Sequence, residues 1–92
     1  MDSPKLTIDD IREAIDEADK ILLKALGARF RAVRYLGQFK KLMKLPMADT
    51  GRERRIKEAW KKQAKKLELS EEFALLILDF ILSESKRIQK EA

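Results

Sequence analysis

Apolar residues in the first part of the chain recur at Ile8, Ile11, Ile15, Ala18, Leu22 and Leu26, then at Val33 and Leu36. Steps of three and four, with one of seven, are the spacing of a helix seam. Thr7 with Asp10 three residues on supplies an N-terminal cap, and no breaker follows until Pro46. The pattern therefore predicts a helix of about forty residues, roughly 55–60 Å long at 1.5 Å per residue. Gly27 and Gly37 fall inside it, each costing about 1 kcal/mol against Ala, and read as points of close packing or backbone approach. One chain cannot cover so long a stripe alone.

Leu45-Pro46-Met47-Ala48 reads as a loop, because Pro46 lacks a helix donor and restricts the residue before it. A second helix is expected from Asp49 or Thr50, with Ile56, Ala59, Trp60, Ala64 and Leu67 as a narrow apolar stripe. Lys57, Lys61, Lys62, Lys65 and Lys66 form a basic face beside it. Ser70 followed by Glu71 and Glu72 is a good start for a third helix, whose seam runs through Phe73, Leu75, Leu78 and Leu82. The expected fold is all-α, three helices with a very long first one, and the 92 residues fit a single domain, 1–92.

Composition narrows the chemistry. With 45% hydrophobic and 40% charged residues, 3 Gly and 2 Pro, the chain resembles a long-helix protein and leaves little place for strands. It has no Cys and no His, which removes disulfides, thiol nucleophiles, imidazole bases and the usual transition-metal ligand sets. Neither a metal site nor a cofactor is expected, and any catalysis falls to Lys, Arg, Asp, Glu, Ser or Gln. No stretch approaches the roughly 20 apolar residues that cross a bilayer, and Met1 to Thr7 shows no signal-peptide core, so a cytoplasmic location is expected. The net charge of +5 favours an anionic partner without saying whether it is a polymer, a membrane or a metabolite.

Polar residues interrupt the seams in an ordered way. Arg29, Val33, Leu36 and Lys40 continue the first seam in steps of four, three and four. Eleven residues separate the two cations, about three turns, leaving them about 20° apart around the axis. Either alone can snorkel from the seam's edge, but two inward cations require anions. On the third helix, Ser85 and Gln89 take places where the spacing calls for Leu, a pattern that fraying of a last turn explains equally well. At the start of the second helix, Thr50 and Glu53 have the spacing of a capping box, and Asp49 suits the helix dipole.

As a set, Arg12 within Ile11-Arg12-Glu13-Ala14-Ile15-Asp16, Arg29 with Lys40, Asp49-x-x-Arg52-Glu53 and Ser85-x-x-x-Gln89 resemble the all-helical, AroQ-type chorismate mutases. No single element is specific, but the order and spacing match over nearly the whole chain without a gap. The resemblance implies an intertwined homodimer that converts chorismate to prephenate in aromatic amino-acid biosynthesis, without cofactor. It also implies residue roles. Arg29 would bind a substrate carboxylate with help from Ser85. Lys40 would meet a carboxylate and the ether oxygen, to which Gln89 donates. Glu53, with Asp49, would accept from the substrate hydroxyl, Arg52 is the matching cation of that motif, and Arg12 would reach the site of the other chain. Geometry agrees on the last point, because 28 residues of continuous helix place Arg12 roughly 42 Å from Lys40, too far to share one small ligand within a chain.

Other readings stay open. A lyase branch of the same fold removes pyruvate from isochorismate, although Asp49-x-x-Arg52-Glu53 and Ser85 look more like the mutase. Gly51 before Arg52 departs from the pattern and leaves the placement of Arg52 and Glu53 open. Eight basic against two acidic residues between Arg52 and Lys66 would suit a nucleic-acid-binding module. That reading gives no reason for Arg29, Lys40, Ser85 and Gln89 to lie on seams. A structural coiled coil would want those seams apolar throughout.

Overall fold

A computed structural model describes residues 5–92. Of the stretch Met1 to Thr7, in which no signal-peptide core is expected, Met1–Pro4 lie outside the described residues. Three helices make up the described chain, α1 (Ile8–Leu42), α2 (Thr50–Lys66) and α3 (Glu71–Glu91), with no strand among the described residues.

Each helix begins at a side chain that satisfies its orphan N–H groups. Thr7 and Asp10 do so reciprocally: the Thr7 N–H donates to Asp10 Oδ2 at 2.9 Å, and the Asp10 N–H donates to Thr7 Oγ1 at 3.1 Å. The Thr7 backbone bond, and secondarily its side chain, hold the Asp10 carboxyl below its ordinary value. On α2 the cap is Asp49, whose Oδ1 accepts from the Arg52 N–H at 2.9 Å. The Thr50–Glu53 spacing suggested another arrangement, but Thr50 is already helical and the residue before it does the capping. On α3, Ser70 Oγ accepts from the Phe73 N–H at 3.2 Å, with Glu71 and Glu72 in the first turn.

The helices end less predictably. α1 stops at Leu42, short of the expected reach to Pro46, because Lys44 turns into the left-handed region at φ 55° and lets the Leu45 N–H close on the Lys40 carbonyl at 2.8 Å. Glu68, at φ 58°, closes α2 in the same way, with the Leu69 N–H on the Ala64 carbonyl at 2.9 Å. Neither residue is glycine, so each closure carries a backbone cost of about 1 kcal/mol.

The chain forms two compact units, Met1–Arg31 and Ala32–Ala92, with α1 contributing to both. In the first unit no described residue is buried. Ile8, Ile11, Ile15 and Leu22, the predicted seam, are all more than half exposed. The second unit holds the core: Val33 from α1, Ala64 from α2, and Ala74, Leu78, Ile81, Leu82 and Ile88 from α3. Among the described residues, Leu78 is the large side chain that is fully enclosed. The stripe of α2 is narrower than its apolar residues suggested. Ile56, Trp60 and Ala64 face inward, whereas Ala59 and Leu67 are exposed. Of the expected basic face, Lys57 approaches α3, with Asp79 at 4.0 Å, while Lys61 is half-buried and pairs with Glu58 of its own helix at 3.3 Å.

Candidate active site

Lys40, the last cation on the α1 seam, is half-buried in the second unit. Its ammonium donates to the Met47 carbonyl at 2.9 Å and to Gln89 Oε1 at 2.8 Å. The left-handed turn at Lys44 lies between Lys40 and the Met47 carbonyl that accepts from it. An ammonium can only donate, so Gln89 must turn its amide oxygen to it and its NH2 elsewhere. Lys40 retains a third N–H, and two sets of donors thereby stand side by side, able to converge on one acceptor oxygen.

Gly37 makes this contact possible. A Cβ at position 37 would lie 2.8 Å from both Gln89 Cα and Gln89 O, and 2.9 Å from Ala92 Cβ. Two of these are backbone atoms, which cannot swing aside, so only glycine admits α3 this close to α1 at the turn before Lys40. The expectation of close approach holds here. At Gly27 the described chain shows no such crowding, because a Cβ there would meet only Arg31 Nη1 at 3.5 Å, an ordinary contact. Lys41 adds a second link between the same helices through the carbonyls of Lys90, at 2.8 Å, and Ala92.

The other predicted residues of the second unit fall into two groups. Asp49 and Arg52 are exposed at the start of α2, joined by the cap bond. Gly51 does not disturb the turn, since the helix is regular through Arg52 and Glu53. Glu53 is half-buried and points toward α3, where Lys86 Nζ meets its Oε1 at 2.9 Å. Ser85 is buried, and its hydroxyl donates to the Ile81 carbonyl one turn back at 2.7 Å. Ser85 and Gln89 occupy one inward face of α3 a turn apart, so the polar steps in that seam are ordered and not frayed. Arg12 and Arg29 lie on α1 in the first unit, Arg12 exposed and Arg29 half-buried.

Sequence reasoning did not single out Lys86. Its only signal was a position next to Ser85 and three residues before Gln89, on a helix already rich in charge. No group of acidic side chains that could hold a metal ion occurs among the described residues. An open depression on the outer face of α2, lined by Arg54, Arg55, Glu58, Ala59 and Lys62, contains none of the predicted residues. Its walls come from one helix, and it offers no convergent polar groups of the kind found around Lys40.

Comparison with known proteins identifies the family. Over 82 residues, 89% of this chain and 83% of the other, the sequence is 27% identical to a chorismate mutase of Methanocaldococcus jannaschii. No solved structure matches the chain. The family profile described as chorismate mutase type II matches residues 11–90, from the residue before Arg12 to the one after Gln89. The chain is thus a helical enzyme of the chorismate mutase type II family.

Proposed function

We propose that this member of the family rearranges chorismate to prephenate for aromatic amino-acid biosynthesis, in the cytoplasm, at sites shared between two intertwined copies of the 92-residue domain. The observation that carries the catalytic assignment is the 2.8 Å bond from Lys40 to Gln89 Oε1, which leaves one ammonium N–H and the amide NH2 as neighbouring donors.

The reaction is unimolecular. The ether carbon–oxygen bond breaks as a carbon–carbon bond forms within the same molecule, with no nucleophile or redox step. Two physical tasks remain. A flexible dianion has to be held in a compact chair, and negative charge has to be stabilised as it grows on the ether oxygen. Arg29, Ser85 and the partner's copy of Arg12 serve the first by gripping the carboxylates, which removes conformational freedom before the barrier. Ser85 reaches a carboxylate by rotating its hydroxyl off the Ile81 carbonyl. Lys40 and Gln89 serve the second, since donors fixed in advance bind the developing oxyanion more tightly than the ground-state ether. Glu53, with Asp49 beside it, accepts from the substrate hydroxyl, and Arg52 adds positive charge at that end.

The homodimer is supported by the uncovered seam of the first unit. Ile8, Ile11, Ile15 and Leu22 are 62, 51, 55 and 57% exposed. Covering a side chain of this size fully is worth about 1.5–3 kcal/mol, so finishing the burial of four per chain, eight per dimer, supplies several kcal/mol toward association. No helix among the described residues is long and apolar enough to cross a membrane.

Loss of chorismate absorbance, with prephenate identified as product, tests the reading. Pyruvate release from isochorismate without prephenate formation would assign the chain to the lyase branch instead.

A further inference from the structure

The pair formed by Glu53 and Lys86 goes beyond the site assignments above. Within α3, Lys86 lies between Ser85 and Gln89 on the primary chain and three residues from Gln89, so the two side chains are neighbours on the helix surface. Its ammonium crosses to α2 and meets Glu53 Oε1 at 2.9 Å, a full hydrogen-bond distance, whereas the other α2 to α3 ion pair, Lys57 with Asp79, is at 4.0 Å. The Lys86 side chain is 59% exposed and Glu53 29% exposed, and an ion pair this open adds little to folding stability. Its consequence lies in orientation and charge. With Oε1 engaged, the carboxylate has one rotamer defined and presents Oε2 as its remaining acceptor. Without a cation beside it, a half-buried carboxylate would also repel an incoming dianion.

We propose that Lys86 is a positioning residue for substrate recognition: it holds Glu53 through Oε1 so that Oε2 meets the substrate hydroxyl, and its charge offsets the repulsion between that carboxylate and the dianion. The proposal rests on the assignment of Glu53 to the hydroxyl. The group touching substrate is Glu53; Lys86 acts through it.

A double-mutant cycle reads this directly, using chorismate as substrate and the full chain. Lys86→Met is expected to lower kcat/KM about ten-fold, mainly through KM, with an unchanged urea midpoint. Lys86→Arg is expected to restore most of the loss. In a Glu53→Gln background, which is itself impaired, Lys86→Met is expected to change kcat/KM less than two-fold, because the carboxylate it serves is gone. Equal losses in both backgrounds, or parent-level activity of Lys86→Met while Glu53→Gln is impaired, would overturn the role of Lys86 and leave the Glu53 assignment standing. Parent-level activity of Glu53→Gln would overturn the hydroxyl assignment, and the role of Lys86 with it.

Discussion

The two units of this chain ask different things of their residues. In Ala32–Ala92, the approach of α1 to α3 is so close that one added methyl at Gly37 would collide with the backbone of Gln89. In Met1–Arg31, Ile8, Ile11 and Ile15 stand more than half exposed, and a methyl at Gly27 meets only the far end of a flexible arginine. The second unit is stabilised by contacts inside the chain. The first carries a prepared apolar surface whose contribution depends on what covers it. Mutations in the one should therefore act at any protein concentration, and mutations in the other should act through association.

The largest expected effect comes from Lys40→Ala, which on the proposed assignment removes a donor to the developing oxyanion and should lower kcat by roughly 10²–10³. Arg12→Ala should be similarly impaired if it completes the partner's site. Refolded as a mixture, the two mutants form hybrid dimers in half of the pairings, each with one intact site, so about a quarter of parent activity should return. Folded, exchanging mutants that stay inactive together would show that Arg12 and Lys40 do not complete a site across the interface, and would overturn the placement of Arg12.

Gln89→Glu sharpens the catalytic side. A carboxylate there would ion-pair with Lys40 and repel the growing negative charge, while its protonated form can again donate. Activity should fall at neutral pH and recover toward acid pH; a profile parallel to the parent's would place Gln89 outside the reaction.

Ile15→Asp addresses the exposed seam. If a second chain covers Ile15, the mutant buries a carboxylate twice per dimer at a cost of about 2 kcal/mol or more each. Sedimentation should then shift from a dimer toward 10.7 kDa, with activity lost alongside. An unchanged mass at micromolar concentration would leave Ile15 in water.

The glycine pair gives a smaller, two-sided test by urea denaturation. Gly37→Ala should destabilise by about 1–3 kcal/mol through overpacking, whereas Gly27→Ala should stabilise by up to about 1 kcal/mol through helix propensity. A loss at position 27 would reveal a partner packed on that glycine. Smallest of all, Glu68→Gly should raise stability by about 0.5–1 kcal/mol, because glycine enters the left-handed region without a Cβ clash.

These contrasts also mark what was legible in the chain. Helix starts were readable because caps are local: Thr7 with Asp10 and Ser70 with its acidic followers act within three residues. Lys40 and Gln89 were readable because each breaks an apolar period, and a broken period has direction. Helix ends were not, since Lys44 and Glu68 take a conformation usually marked by glycine. Gly27 and Gly37 look alike along the chain and differ only in what stands opposite. The Glu53–Lys86 pair was invisible for the same reason, as it depends on where two helices cross.

The orientation of Gln89 has one more consequence, for selectivity. Because Lys40 fixes the amide oxygen, the face left over presents protons from two side chains and no lone pair. An ether oxygen satisfies such a face. An otherwise identical analogue with N–H in place of that oxygen has one lone pair where the ether has two, so it accepts from one donor at most, and the amide could turn to accept its proton only by abandoning Lys40. With the ether oxygen bound there, as proposed, amine-bridged analogues should be weaker inhibitors however well their carboxylates fit.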